Sequence, residues 1–86
     1  MKFTWSEEKN TILKEQRGIS FEQVVEAIGT DDDLDIIPHN TWPRQIILVV
    51  RINGYVCKCP AVPTEDGFFL KTVYQSRKLN KKLGGA

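Results

Sequence analysis

The sequence predicts an α+β domain: two N-terminal helices packed on a small antiparallel sheet, with a short C-terminal helix. Three observations predict it. Serine-capped segments with helical apolar spacing fill residues 6–29, runs rich in β-branched and aromatic residues fill 46–74, and Asn53-Gly54 between two such runs is the strongest short hairpin signal. Segregated helices and strands, rather than alternating ones, place the chain in the α+β class.

The elements follow in order. Met1–Trp5 sets Lys2 and Thr4 against Phe3 and Trp5, the alternation of an edge strand or extended arm. Ser6 then supplies an N-cap, with Glu7 and Glu8 in the first turn where carboxylates suit the helix dipole. Ile12, helped by Leu13, is the expected apolar anchor of this helix, and Gly18 ends it with a left-handed cap. Ser20 opens a second helix with Gln23 three residues on, a capping box, and with Ile19 and Val24 as a hydrophobic staple. Gly29 ends that helix, and Thr30-Asp31-Asp32-Asp33 reads as a solvated turn, not a metal site, because its carboxylates lack alternating ligand spacing.

Residues 34–37 form an expected short strand closed by Pro38, and His39–Pro43 a loop. The Ile46–Ile52 run returns through Asn53-Gly54 as Tyr55–Cys59, with Pro60 and Pro63 ending or blunting the return strand. Thr64-Glu65-Asp66-Gly67 is a turn into a last strand, 68–74, and Ser76 caps a final helix that reaches Leu83. Phe21, Val25, Ile28, Leu48, Val50, Val56, Leu70 and Val73 are the expected core.

A chain of 86 residues makes one domain, 1–86, that can bury only about 60 to 65% of its unfolded surface. Its net charge of +1 hides a strong asymmetry. Residues 1–40 carry four Lys/Arg and nine Asp/Glu, whereas residues 41–86 carry eight and two. After Asp66 there is no acid, and Lys71, Arg77, Lys78, Lys81 and Lys82 follow. Such a segment suits a polyanion, either nucleic acid or an acidic protein surface. Cys57 and Cys59, two apart on one strand, are badly placed to bridge each other and, with the single His39, fall short of a four-ligand zinc site. Reduced thiols, no apolar leader and no membrane-spanning run point to a cytoplasmic protein without membrane partners.

The densest chemistry lies in Lys71–Lys78. Phosphodiester transfer from a ribose hydroxyl needs a proton acceptor, cations on the phosphate and a donor to the leaving oxygen. Lys71, Tyr74 and Arg77 offer those functions without a metal or other cofactor, and N–H groups near Ser76 add anion contacts. His39 is either a hydrogen-bonding loop residue or a neutral-pH base. Arg44 is a solvated strand entrance or a phosphate clamp, and Trp42 a core cap or a base-stacking surface.

Phe3-Thr4-Trp5-Ser6-Glu7-Glu8-Lys9-Asn10, followed by Arg17-Gly18-Ile19-Ser20-Phe21-Glu22-Gln23-Val24, resembles the opening of BrnT-family toxins. Ile46–Val50 and Tyr74-Gln75-Ser76-Arg77-Lys78-Leu79-Asn80-Lys81 are similar to the later part of the same group. Gln16-Arg17-Gly18 stands where the family usually has Lys-His-Gly, so Arg17 alone keeps a positive charge there. The resemblance implies a RelE-like domain, ribosome-independent RNA cleavage and neutralisation by a small antitoxin encoded nearby, and the basic C-terminal segment calls for that antitoxin to be acidic-surfaced. It transfers most directly to Arg77, Ser76 and Lys78, with Lys81 and Lys82 completing a basic surface for RNA or partner. A non-catalytic protein that binds nucleic acid or an acidic partner on the same fold is the alternative.

Overall fold

The structure is a computed structural model that describes residues 1–30 and 33–83. Asp31 and Asp32 of the expected turn, and Gly84–Ala86, lie outside the described residues. In chain order the elements are β1 (Lys2–Thr4), α1 (Glu7–Arg17), α2 (Phe21–Gly29), β2 (Asp33–Pro38), β3 (Ile46–Ile52), β4 (Tyr55–Pro63), β5 (Gly67–Leu70), β6 (Tyr74–Gln75) and α3 (Arg77–Lys82).

Both helix starts form as their sequences require. Ser6 Oγ accepts from the Lys9 N–H, and Ser20 with Gln23 makes a reciprocal capping box. Gly18 ends α1 at φ 66°, a conformation open to glycine at little cost. The anchor of α1 is Leu13, 1% exposed, rather than Ile12, which is 37% exposed. Adjacent helical positions point about 100° apart, so a weak stripe leaves that choice to tertiary packing.

The sheet is mixed, not wholly antiparallel, with strand order β1-β5-β4-β3-β2 and β6 on β4. The β3–β4 hairpin turns at Asn53 (φ 53°) and Gly54 (φ 78°), the two positive values a two-residue turn of this kind demands. β1 instead runs parallel to β5. A tight turn dictates antiparallel pairing only for neighbours in sequence, and β1 meets β5 across most of the chain.

Two further boundaries differ from expectation. β4 continues through Pro60 to Pro63, because it pairs with β6 at Cys57 and Lys58 and with β5 from Ala61 onward. Pro60 stands in the interval between those two partners, where a strand tolerates a missing N–H. The expected strand 68–74 breaks after Leu70. The Lys71 N–H donates to the Pro60 carbonyl at 2.8 Å, and Arg17 Nη1 donates to the Val73 carbonyl at 2.9 Å. Backbone groups that leave the ladder are thereby satisfied elsewhere.

Register divides the sheet into two faces. Leu48, Val50, Ile52, Cys57, Cys59 and Ala61 point to one, where Leu13, Ile19, Phe21, Val24 and Ala27 of the α1–α2 region complete the main core. Ile47, Val49 and Val56 point to the other, against Leu79 of α3 and Ile37. The helices therefore do not share one face. Of the expected core, Val25 and Ile28 are partly buried and the other six residues are buried.

Candidate functional site

The loop before β3 is a stiff structure built on His39. Its Nδ1 accepts from the Thr41 and Trp42 N–H groups at 3.1 and 3.3 Å. His39 N–H donates to the Gln45 carbonyl, and Gln45 N–H to the Trp42 carbonyl. An imidazole that accepts at Nδ1 carries its proton on Nε2 when neutral, so His39 presents a donor.

Opposite this loop runs the segment that leaves β5. Arg17 and the Pro60 carbonyl hold it, as described above, and Arg17 Nη1 also lies 3.5 Å from Thr72 Oγ1. The two walls enclose an open cleft of about 460 Å³ lined by His39, Trp42, Gln45, Pro60, Lys71 and Thr72. No acid lines it. His39 and Lys71, distant in sequence, are thus brought to one site. Trp42 is 58% exposed and does not cap the core.

The other expected residues lie along the same sheet face. Pro60, Lys58 and Val56 alternate along β4 on the α3 side, and Lys58 stands directly opposite Tyr74 of β6. A strand advances about 3.3 Å per residue, so Lys58 and Tyr74 sit one strand period, roughly 7 Å, from the Pro60 end of the cleft. Val56 then leads under α3. Its N–H donates to Asn80 Oδ1 at 3.0 Å, while Leu79 packs on Val56 and Val49.

Arg77, Lys78, Lys81 and Lys82 are exposed on α3. Among the described residues the sole ion pair is Lys14 with Glu22, so none of these four, nor Lys58 or Lys71, is paired with a described carboxylate. Ser76 is engaged structurally: its N–H donates to the Val56 carbonyl and its Oγ accepts from the Leu79 N–H. Only its hydroxyl proton remains to give. Arg44 is exposed in the turn between Trp42 and Gln45, near the cleft in sequence but not in its lining.

Sequence reasoning missed Lys58, Gln45 and the bracing role of Arg17. Lys58 interrupts the apolar run of the expected strand Tyr55–Cys59, and that break was the signal that could have found it. Arg17 gave no local signal, because its partners are 55 and 56 residues away.

The two cysteines are free, buried and unsuited to nucleophilic work. Burial pushes the Cys57 thiol up to about 11, and burial with the neighbouring Cys57 pushes Cys59 up to about 12. No group of His, Cys, Asp and Glu among the described residues has the arrangement of a metal centre, and no described helix is long and apolar enough to cross a membrane. Comparison with protein-family models, curated proteins and solved structures yields no match to this chain.

Proposed function

We propose that this protein is a toxin-like endoribonuclease of a type II toxin–antitoxin pair, akin to the BrnT family within the RelE-like clan, acting on cytoplasmic RNA without metal. The observation that carries the proposal is the meeting of His39 and Lys71 in one cleft lined by no described acid, continuous along β4 with Lys58, Tyr74 and the cations of α3, which pair with no described carboxylate. A polyanion fits such a surface, and a phosphodiester fits the mouth of the cleft.

In this reaction the ribose 2′-hydroxyl attacks the adjacent phosphorus. Its proton passes to the Tyr74 hydroxyl oxygen as the phenolic proton moves on to solvent, the 5′-oxygen leaves with a proton from Lys71 or solvent, and the products end in a 2′,3′-cyclic phosphate and a 5′-hydroxyl. Lys71 and Arg77 neutralise charge that builds on the phosphoryl oxygens. His39 donates its Nε2–H to the same group and is not the base, because Nδ1 is already committed to backbone N–H groups. The test is incubation of purified protein with labelled single-stranded RNA in chelator. Fragments with cyclic ends support the proposal, and intact RNA at high enzyme concentration opposes it.

A binding protein without turnover is the second reading. It is favoured by one observation: Tyr74 does not line the cleft that holds His39 and Lys71. A gel-shift titration separates the two, since this reading requires affinity for RNA or for an acidic partner with no cleavage.

A further inference from the structure

We infer that the cleft contains a subsite for a single unpaired nucleobase, in which Trp42 is the stacking surface and Gln45 reads the base edge. The inference rests on the RNA-binding part of the proposed function and adds the form of the substrate. Four observations lead to it. Trp42 is a large aromatic ring left 58% exposed. The ring is not on a loose loop. Its own N–H is held by His39 Nδ1 and its carbonyl by the Gln45 N–H, so the backbone that carries the indole is fixed before any ligand arrives.

The third observation is the company it keeps. Lys71 lines the same cleft with no described carboxylate paired to it, which supplies a phosphate contact for the nucleotide whose base stacks. Fourth, Gln45 lines that cleft half-buried and its carboxamide makes no hydrogen bond among the described residues, while its backbone is fully used by the turn. A carboxamide both donates and accepts, the pattern needed to bridge two neighbouring groups on a base edge. A cleft of about 460 Å³ lies within the size range of small-ligand sites.

Stacking tolerates any base because each has a π-face, whereas the amide discriminates among edges. Trp42 therefore governs affinity and Gln45 governs preference. A duplex keeps its bases stacked on one another and offers no face to the indole, so the substrate is single-stranded or has a base turned out.

The test uses short single-stranded 2′-O-methyl oligoribonucleotides of uniform A, C or U, which bind but lack the nucleophile for cleavage. Trp5 lies stacked on Phe21 at 5.7 Å, and Trp5→Phe lets the emission report on Trp42 alone. The expected result is quenching on titration, with Trp42→Ala weakening binding about 5- to 150-fold, the equivalent of about 1 to 3 kcal/mol per stacked base. Trp42→Phe should retain most of the affinity. Gln45→Leu should narrow the difference between A, C and U while leaving the average affinity within about threefold.

Oligonucleotide binding that neither quenches Trp42 nor responds to Trp42→Ala overturns the subsite and leaves the RNase proposal standing. Quenching without cleavage of ordinary RNA keeps the subsite and sinks the enzyme. Equal affinity for a duplex, or an effect of Trp42→Ala on an acidic protein partner only, overturns the subsite as well.

Discussion

Asn10 joins the two N-terminal helices through a single side chain. It is buried, its Nδ2 donates to Glu22 Oε1 at 2.7 Å, and its Oδ1 accepts from the Phe21 N–H at 2.9 Å. Asn10→Ala leaves the buried Phe21 N–H without a partner and should cost about 1 to 3 kcal/mol in urea unfolding. The Asn10 hydrogen bond, aided by Glu22's own backbone N–H and by Lys14, holds the Glu22 carboxyl below its ordinary value of 4.5. A carboxyl lowered in the folded state contributes stability that is complete above its unfolded value and is lost as pH falls through its folded value. Asn10→Ala should therefore lose less stability than wild type as pH falls below 4.5, and unfolding midpoints across that range check this. At the site, His39→Ala and Lys71→Ala should each lower RNA cleavage about 10²-fold or more, measured at saturating RNA. Phe21 is the largest of the fully buried side chains, and Phe21→Ala should cost about 3 to 5 kcal/mol. That residue was legible from helical spacing. The Asn10 joint was not, because no local rule says which asparagine in a helix will reach the next one.

Local chemistry and tertiary closure divide the elements. The three serine N-caps, the Gly18 cap and the Asn53-Gly54 turn follow from neighbouring residues, and all could be read from the sequence. The parallel β1–β5 pair, the continuation of β4 through Pro60 and the break after Leu70 depend on partners remote in sequence. Gly67 shows why such a pair leaves little trace. A Cβ built there would fall 1.7 Å from the Lys2 carbonyl oxygen, so the close approach of β1 requires glycine, yet in sequence Gly67 is one more turn residue. Gly67→Ala should detach β1 and expose Phe3 and Phe68, whose rings stack at 6.1 Å. Loss of amide-exchange protection across residues 2–4 and 67–69, with the β3–β4 hairpin still protected, is the expected result. The candidate cleft belongs to this non-local class. His39 and Lys71 were each visible as chemistry, but their meeting depends on Arg17 and Pro60 steering residues 71–73 off the sheet.

Across the whole molecule, cations gather on one sheet face. Lys58 and the four Lys/Arg of α3 stand there with no acid in their own elements, whereas α1 and α2 on the opposite face together carry five Glu against three Lys/Arg. Replacing Arg77, Lys78, Lys81 and Lys82 together by Gln should weaken RNA binding most at low salt. If all four contact phosphate, the slope of log affinity against log salt should fall by about 3. An acidic antitoxin on the same face would weaken in parallel and would compete with RNA, since two polyanions cannot share one set of cations. Unchanged affinity for both would move the functional surface toward Arg44 and Arg51. The most direct test of the whole account is cleavage of end-labelled single-stranded RNA in chelator by wild type and by Lys71→Ala. The account predicts 2′,3′-cyclic-phosphate fragments with wild type and their near loss in the variant; RNA left intact and unbound by wild type at low salt would contradict it.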